Sequence, residues 1–340
     1  MRDLLIIQTA FAGDLILTTP LIEQCAHCFP GIGIDVLCIP GTASLLAHNP
    51  HVREVLPYDK QSGKPGLLTL TRRLSRKGYE ICIVPHRSFR SAILARATRA
   101  RRRVSFDRSA ASWLYTDTVR YADADHEVER NRTLLSVFDG ARKTRVRPAL
   151  YPSEDDRMAA ARSVSAGGTM PMLCLAPGSV WATKRWTQEG FIEVGKALCQ
   201  EYQVVLIGGA QDAALCAEIA GALPPDRVVN TAGKLSFLAS AALVGMSRIL
   251  ISNDSAPVHV ASAMGTPVVE IYGATSPEYG FTPYGVPHRI VQREGLACKP
   301  CAIHGGHHCP ITTFDCMRGL SARSVIEAVR SLLDEVSPPL

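Results

Sequence analysis

The stretch from Ile249 to Gly273 constrains the fold more than any other part of the chain. Ile249, Leu250 and Ile251 form an apolar run that reads as a buried strand. Asn253, Asp254 and Ser255 supply helix-start chemistry, and residues 258–264 continue as an apolar helix that Gly265 ends. Pro267 follows, and residues 268–272 predict the next strand. A strand–turn–helix–strand unit this compact belongs to a parallel α/β sheet. Its turn aims a helix N-terminus at the carboxyl edge of the sheet, where unpaired N–H groups and a partial positive charge favour anions. Asp254 and Ser255 also suit plain helix capping. His259, one turn into the helix near the same mouth, is harder to explain that way.

The rest of the chain repeats this rhythm. Residues 4–8 predict a first strand, a small-residue turn leads through Gly13 to Asp14, and an apolar helix follows over 15–28, kinked near Pro20. Strands are expected at 34–39, 52–56, 81–84 and 103–106, with helices at 43–47, 67–77 and 91–99 between them. A helix over 127–138 and an extended 147–152 complete one open parallel-sheet domain, residues 1–152. A capped helix opens at Ser153, and Ala166-Gly-Gly-Thr169 reads as a loop. Strands at 172–176, 204–208 and 228–230 and helices at 187–202, 212–223 and 235–246 then build a second such domain, residues 153–320. A closing helix, capped by Ser321, crosses back within 321–340. Two facing α/β domains predict a ligand between their carboxyl edges.

At 340 residues the chain has room for two domains of roughly 150–170 residues. Its 46% hydrophobic and 20% charged content argues against disorder. No apolar run is long enough to span a bilayer, and the N-terminus lacks signal-peptide organisation, so a cytoplasmic location is expected. The net charge of +6 is modest but uneven. Arg87, Arg90, Arg96, Arg99, Arg101, Arg102 and Arg103 crowd one segment, which reads either as a solvated helix face or as a surface for phosphates or an anionic membrane. With 6% aromatic residues and no binding module, nucleic acid is not an expected partner.

Asp14 sits at a strand-to-helix junction, where a helix N-terminus keeps a carboxylate ionised; it reads as a general base or as a cap. Between Pro177 and Trp186, a Gly-containing turn with Ser179 precedes Thr183 and Lys184. Backbone N–H groups and the Thr183 hydroxyl would bond diphosphate oxygens while Lys184 neutralises developing charge. The Walker spacing is absent there, and residues 8–14 lack the dinucleotide fingerprint. Asp212, after the double glycine 208–209, is placed to receive ribose hydroxyls or a base amino group.

With these residues assembled, the chain resembles the bacterial lipopolysaccharide heptosyltransferases of glycosyltransferase family 9, especially their heptosyltransferase II-like members. The resemblance rests on Gly13-Asp14-Leu-Ile-Leu-Thr-Thr-Pro20, Ala176-Pro-Gly-Ser179 with Lys184-Arg-Trp186, Gly208-Gly-Ala-Gln-Asp212, Thr231-Ala-Gly-Lys-Leu235 and Ser252-Asn-Asp-Ser-Ala-Pro-Val-His259. It runs through both halves in order. It implies a GT-B fold with the acceptor on the first domain and ADP-heptose mainly on the second. Asp14 would be the base of an inverting displacement and Lys184 a diphosphate ligand. Gly13, Ser179, Thr183, Asp212, Asp254, Ser255, Ala256 and His259 would surround the nucleotide sugar. Ala256-Pro257 stand where members commonly carry Gly-Leu, so one N–H that could meet a phosphate is missing. The implied acceptor is the anionic, lipid-linked inner core, Kdo-lipid A or its heptosylated form, at the inner face of the cytoplasmic membrane. No cofactor is implied for catalysis.

Seven of the 11 cysteines stand in apolar contexts and read as core residues. The other four, Cys298, Cys301, Cys309 and Cys316, lie close together in a Gly/His-rich segment. Their spacing fits a structural zinc or iron site, reduced thiols without metal, or a disulfide. The competing functional readings are a GT-B transferase with another nucleotide sugar or a protein acceptor, a nucleotide-sugar-binding protein without turnover, and a thiol-based regulator.

Overall fold

The computed structural model describes residues 3–139, 146–164 and 170–336; the Ala166–Thr169 loop and the tail beyond residue 336 lie outside the described residues. The chain divides into two compact units between Tyr151 and Pro152. In the first unit the strands are β1 (Asp3–Ile7), β2 (Gly33–Cys38), β3 (Glu54–Pro57), β4 (Ile81–Val84), β5 (Arg102–Phe106) and β6 (Asp117–Val119). Its helices are α1 (Ala12–Ile16), α2 (Thr19–Cys28), α3 (Gly63–Arg76), α4 (Phe89–Ala97) and α5 (Glu127–Thr133). The sheet is parallel, in the order β3-β2-β1-β4-β5-β6, with Ile6 opposite Val36 on one side and Ile83 on the other. Leu4, Leu5, Ile6 and Ile7 are completely buried, because helices cover both faces of a parallel sheet.

The second unit begins with α6 (Glu154–Val164) and continues through β7 (Met172–Ala176), α7 (Gln188–Leu198), β8 (Gln203–Leu206), α8 (Ala213–Gly221), β9 (Val228–Asn230) and α9 (Phe237–Gly245). Then come β10 (Leu250–Asn253), α10 (Ala256–Met264), β11 (Val268–Tyr272), β12 (His288–Gln292), α11 (Asp315–Arg318) and α12 (Ala322–Val336). Its parallel sheet runs β12-β11-β10-β7-β8-β9. Read from either end, each sheet places its first three strands on one side of a reversal point and its last three on the other. This is the doubly wound order, with its crevice at β1/β4 and at β7/β10. The closing helix α12 buries Val325, Val329, Leu332 and Leu333 in the core of the second unit, packing on α7, β11 and β12. Each such burial is worth about 1.5–3 kcal/mol.

Several boundaries differ from the sequence expectation for identifiable reasons. The single kinked helix after Gly13 is two helices, α1 and α2, separated at Leu17 and Thr18. Pro20 stands in the first turn of α2, where its missing N–H would have had no partner. Thr18 Oγ1 donates to Asp14 O at 2.7 Å and accepts from Gln8 Nε2 at 3.1 Å across the break. Strands β6 and β12 had no apolar signature to predict them, because edge strands are short and partly polar.

A charged cluster ties the first unit's β2–β3 edge together. Asp35, fully buried on β2, accepts from Arg53 Nε and Nη2, both at 2.9 Å, and from Tyr79 Oη at 2.6 Å, with Lys77 Nζ at 3.3 Å. Burial alone would raise its pKa; the hydrogen bonds from Arg53, Tyr79 and Lys77 outweigh it and hold the carboxyl below its ordinary value. A depressed folded pKa contributes stability above the unfolded value, and that stability is lost as pH falls through the folded one. Asp35→Asn should therefore destabilise the first unit by about 3 kcal/mol near pH 7, read as a lower urea midpoint. The difference from the parent should shrink as the pH is lowered below about 4.

Candidate active site

At the carboxyl edge of the first sheet, α1 starts directly after β1. Asp14 is its third residue, and its Oδ2 accepts the Phe11 N–H at 3.2 Å, so the carboxylate also braces the helix start. Gly13 is buried, and its carbonyl accepts from Leu17 N–H at 2.9 Å within the helix. Across the β1/β4 crevice, His86 follows β4. Its Nδ1 lies 2.9 Å from Thr9 Oγ1 and 3.3 Å from Ser91 Oγ. Burial, then the charges of Lys60 and Arg87, push its pKa down to about 4, so it is neutral at physiological pH.

Lys60 feels both Asp14 and Arg90, and Arg90 Nη1 donates to Lys60 O at 3.4 Å. Arg87 lies over the Tyr121 ring at 3.9 Å, and Arg130 approaches the same ring at 4.9 Å while donating to Tyr121 Oη at 2.5 Å. Glu127, at the start of α5, lies 3.2 Å from Arg130 Nε. Burial raises its pKa to about 7 against the pull of Arg130 and Arg87, with Asp14 adding repulsion. Lys60, His86 and Glu127 are additions to the sequence reading. His86 comes to this edge because β4 lies beside β1, Lys60 through the turn after β3 and Glu127 through the start of α5, placements that linear order does not encode.

The arginine-rich segment does not form one surface. Arg87 and Arg90 follow the carboxyl end of β4, whereas Arg101, Arg102 and Arg103 stand at the start of β5, on the amino edge of the same parallel sheet. Arg102 pairs with both Asp117 oxygens at 2.8 Å, and Arg103 donates to Leu114 O and Ala100 O. Those two arginines are structural.

On the second unit, the loop after β7 is fixed by Asn253, which is completely buried at the end of β10. Its Oδ1 accepts the Trp186 N–H at 2.9 Å and its Nδ2 donates to Pro177 O at 2.8 Å. Between those anchors Lys184 Nζ reaches Asp254 Oδ2 at 2.7 Å, and Thr275 Oγ1 donates to the same oxygen at 2.5 Å. The sequence reading assigned Asn253 to helix-start chemistry; its role is to close the β7/β10 crevice. Trp186 is core, stacked edge-on against Phe191 with its Nε1 donating to Leu320 O at 3.2 Å.

The Thr183 hydroxyl, expected to face a phosphate, is engaged by Gly306, accepting its N–H at 2.8 Å and lying 3.1 Å from its carbonyl. Ser179 is buried, and its carbonyl accepts from Arg185 Nε at 2.7 Å. Ser255 precedes α10 without capping it; its hydroxyl donates toward Gly178 O and Asn253 O. Ala256 and Pro257 are the first two residues of α10, and His259 is buried one turn in. Asp212 Oδ2 accepts the Gly209 N–H at 2.9 Å, leaving its other oxygen beside Gly178, where a Cβ would collide with it.

Glu270, completely buried on β11, stands behind the Lys184–Asp254 pair. Burial and then the Asp254 charge hold its pKa well above the ordinary carboxylate value, although Lys184 opposes them. The site can therefore present one ammonium group to an anion from a water-poor wall. Cys298, Cys301, Cys309 and Cys316 are all unbridged, and among the described residues no group of three or more Cys, His, Asp or Glu side chains is arranged to hold a metal. No helix among those residues is long and apolar enough to cross a membrane.

Known proteins share both the sequence and the fold. Residues 67–306 match the family described as glycosyltransferase family 9 (heptosyltransferase). Lipopolysaccharide heptosyltransferase 3 of Escherichia coli is 28% identical over 277 residues, which cover 78% of this chain and 82% of that protein. The structure of E. coli ADP-heptose lipopolysaccharide heptosyltransferase II is similar at a TM-score of 0.81 and 25% identity, over 98% of this chain and 99% of that one. A family 9 glycosyltransferase from Veillonella parvula has a TM-score of 0.87 at 23% identity, over 98% of each chain. These matches and the two doubly wound units establish a GT-B enzyme: the chain belongs to glycosyltransferase family 9, the heptosyltransferases.

Proposed function

We propose that this enzyme transfers L-glycero-D-manno-heptose from ADP-heptose to the inner core of lipopolysaccharide, with inversion at the anomeric carbon. The observation that carries the reading is the Lys184 ammonium, held 2.7 Å from Asp254 at the β7/β10 crevice where doubly wound sheets bind nucleotides. The names of the relatives, lipopolysaccharide heptosyltransferases, support the same donor and acceptor classes.

Asp14 takes the proton from the acceptor hydroxyl as its oxygen bonds to the anomeric carbon. The bond from that carbon to the β-phosphate oxygen breaks, and ADP departs with the electron pair. Lys184 exchanges Asp254 for the diphosphate and meets the growing charge, so the reading needs no catalytic metal. Asp254 and His259 lie against the sugar, with Ser179, Ser255, Ala256 and the outer oxygen of Asp212 toward the nucleotide. Thr183 contributes by backbone placement, since Gly306 engages its hydroxyl.

Lys60, Arg87 and Arg90 suit the carboxylates and phosphates of Kdo-lipid A or its heptosylated form. The exposed rings of Phe11, at the start of α1, and Phe89, at the start of α4, suit a lipid-linked substrate at the cytoplasmic membrane surface.

Three outcomes test this reading. Asp14→Asn should lower transfer about 10²–10⁴-fold while ADP-heptose still binds by calorimetry; loss of binding together with turnover would remove Asp14 from the base role. Lys184→Ala should weaken ADP about 10-fold or more, and unchanged affinity would exclude a phosphate contact. Because Glu127 titrates near pH 7 beside Asp14, its ionisation above that pH should strengthen the base. The kcat/KM profile should therefore show an ionisation near 7 that Glu127→Gln lacks. Assays with ADP-heptose against UDP-sugars on defined core acceptors decide the donor.

A further inference from the structure

Glu270 occupies the middle of β11, a strand paired on both sides in the parallel sheet and buried along its whole length. Its side chain is completely buried, and neither carboxyl oxygen makes a well-formed hydrogen bond among the described residues. Tyr272, two residues on and on the same face, is buried likewise, and its hydroxyl lies near the carboxyl without a well-aligned bond. Glu270 stands opposite Ser252 on β10 and Ile290 on β12, so neither facing position offers it a cation. A carboxylate taken out of water on these terms is costly, and keeping a proton lowers that cost.

The charges that reach Glu270 come from the β7/β10 crevice. Lys184, from the loop after β7, and Asp254, from the turn between β10 and α10, both act on it. Lys184 Nζ is engaged by Asp254 Oδ2 at 2.7 Å, and Thr275 Oγ1 donates to the same oxygen at 2.5 Å. His259 is buried on α10, which packs against β11, and Lys299, from the segment after β12, feels the Asp254 charge. Asp254 holds the Lys184 ammonium directly, and Glu270, behind that pair, is the carboxyl left protonated. Burial first and then the Asp254 charge favour its neutral form.

An arriving diphosphate brings further negative charge and draws Lys184 away from Asp254, and both changes oppose an ionised Glu270. We propose that Glu270 is a positioning residue that must carry a proton before Lys184 can turn from the carboxyl wall to a diphosphate, so that in alkaline solution ADP binds together with one proton. The proton passes from a buffer acid to a Glu270 carboxylate oxygen as Lys184 exchanges Asp254 for the nucleotide, and it leaves when ADP does. With Glu270 ionised, two carboxylates hold the ammonium inward, and the nucleotide must overcome both attractions. The coupling rests on the diphosphate role of Lys184 proposed above; the protonated state of Glu270 without nucleotide does not.

The test titrates the full chain with ADP by calorimetry from about pH 7.5 to 9.5, above the phosphate ionisation and below that of ordinary lysines, in buffers of differing ionisation enthalpy. Wild-type affinity should fall by up to about 10-fold per pH unit at the alkaline end, with up to one proton taken up per ADP. Glu270→Gln, neutral at every pH, should show neither the fall nor the uptake, and near pH 9.5 should bind ADP about 10-fold more tightly than the wild type. Infrared spectra without nucleotide should show a protonated-carboxyl band at about pH 7.5 that Glu270→Gln lacks. Wild-type affinity that stays level, with heats independent of buffer, overturns the coupling whether or not the variant folds. A folded Glu270→Gln that follows the wild-type curve puts the proton elsewhere and overturns it too. A wild type with the infrared band but no affinity for ADP at any pH overturns the donor reading and leaves the neutral Glu270 standing.

Discussion

The loop after β7 depends on a single buried amide. Asn253 uses its oxygen on Trp186 and its nitrogen on Pro177, so both ends of the loop after β7 are tied to the end of β10. Leaving either half of that amide unpaired would cost about 1–3 kcal/mol, which makes the loop geometry hard to vary. Lys184 lies between those ties and Asp254 follows Asn253 directly, so their 2.7 Å contact is set by backbone already held in place. A cation positioned this way loses little further freedom when an anion replaces its carboxylate partner.

The two units share a strand order yet differ electrically. The first presents Lys60, Arg87 and Arg90 around two carboxylates, Asp14 and Glu127, whose charges repel. The second presents one ion pair backed by Glu270, whose burial favours the neutral acid. The anionic acceptor and diphosphate donor proposed above would ask for different things from the same scaffold. The proposed acceptor would need a standing excess of positive charge, and the proposed donor a single ammonium in a water-poor wall where each interaction is stronger.

Two buried titratable groups near Asp14 carry opposite stability consequences. His86 is held neutral with its pKa near 4, so acid favours the unfolded chain once pH falls below about 6.5. Glu127 runs the opposite way. Its raised folded pKa contributes stability below its unfolded value and loses it as pH rises through about 7. Perturbed titratable groups gathered at one sheet edge mark a candidate functional site.

The sequence by itself determined the α/β class, the two-unit division and the motifs that carry Asp14, Lys184 and Asp254. These follow from local causes: apolar runs of strand length, small-residue turns, and polar residues where helices begin. Only the tertiary structure decided which strands adjoin, and that decided the sites. His86 and Glu127 reach Asp14 through the β1/β4 neighbourhood and the placement of α5, while the arginines of β5 fall on the opposite edge because parallel strands start there. Thr183 looked like a phosphate ligand from its position after β7, but Gly306, more than a hundred residues onward, engages its hydroxyl. A hydrogen bond between segments so distant in sequence leaves no periodicity or spacing to read, so folding alone brings it into view.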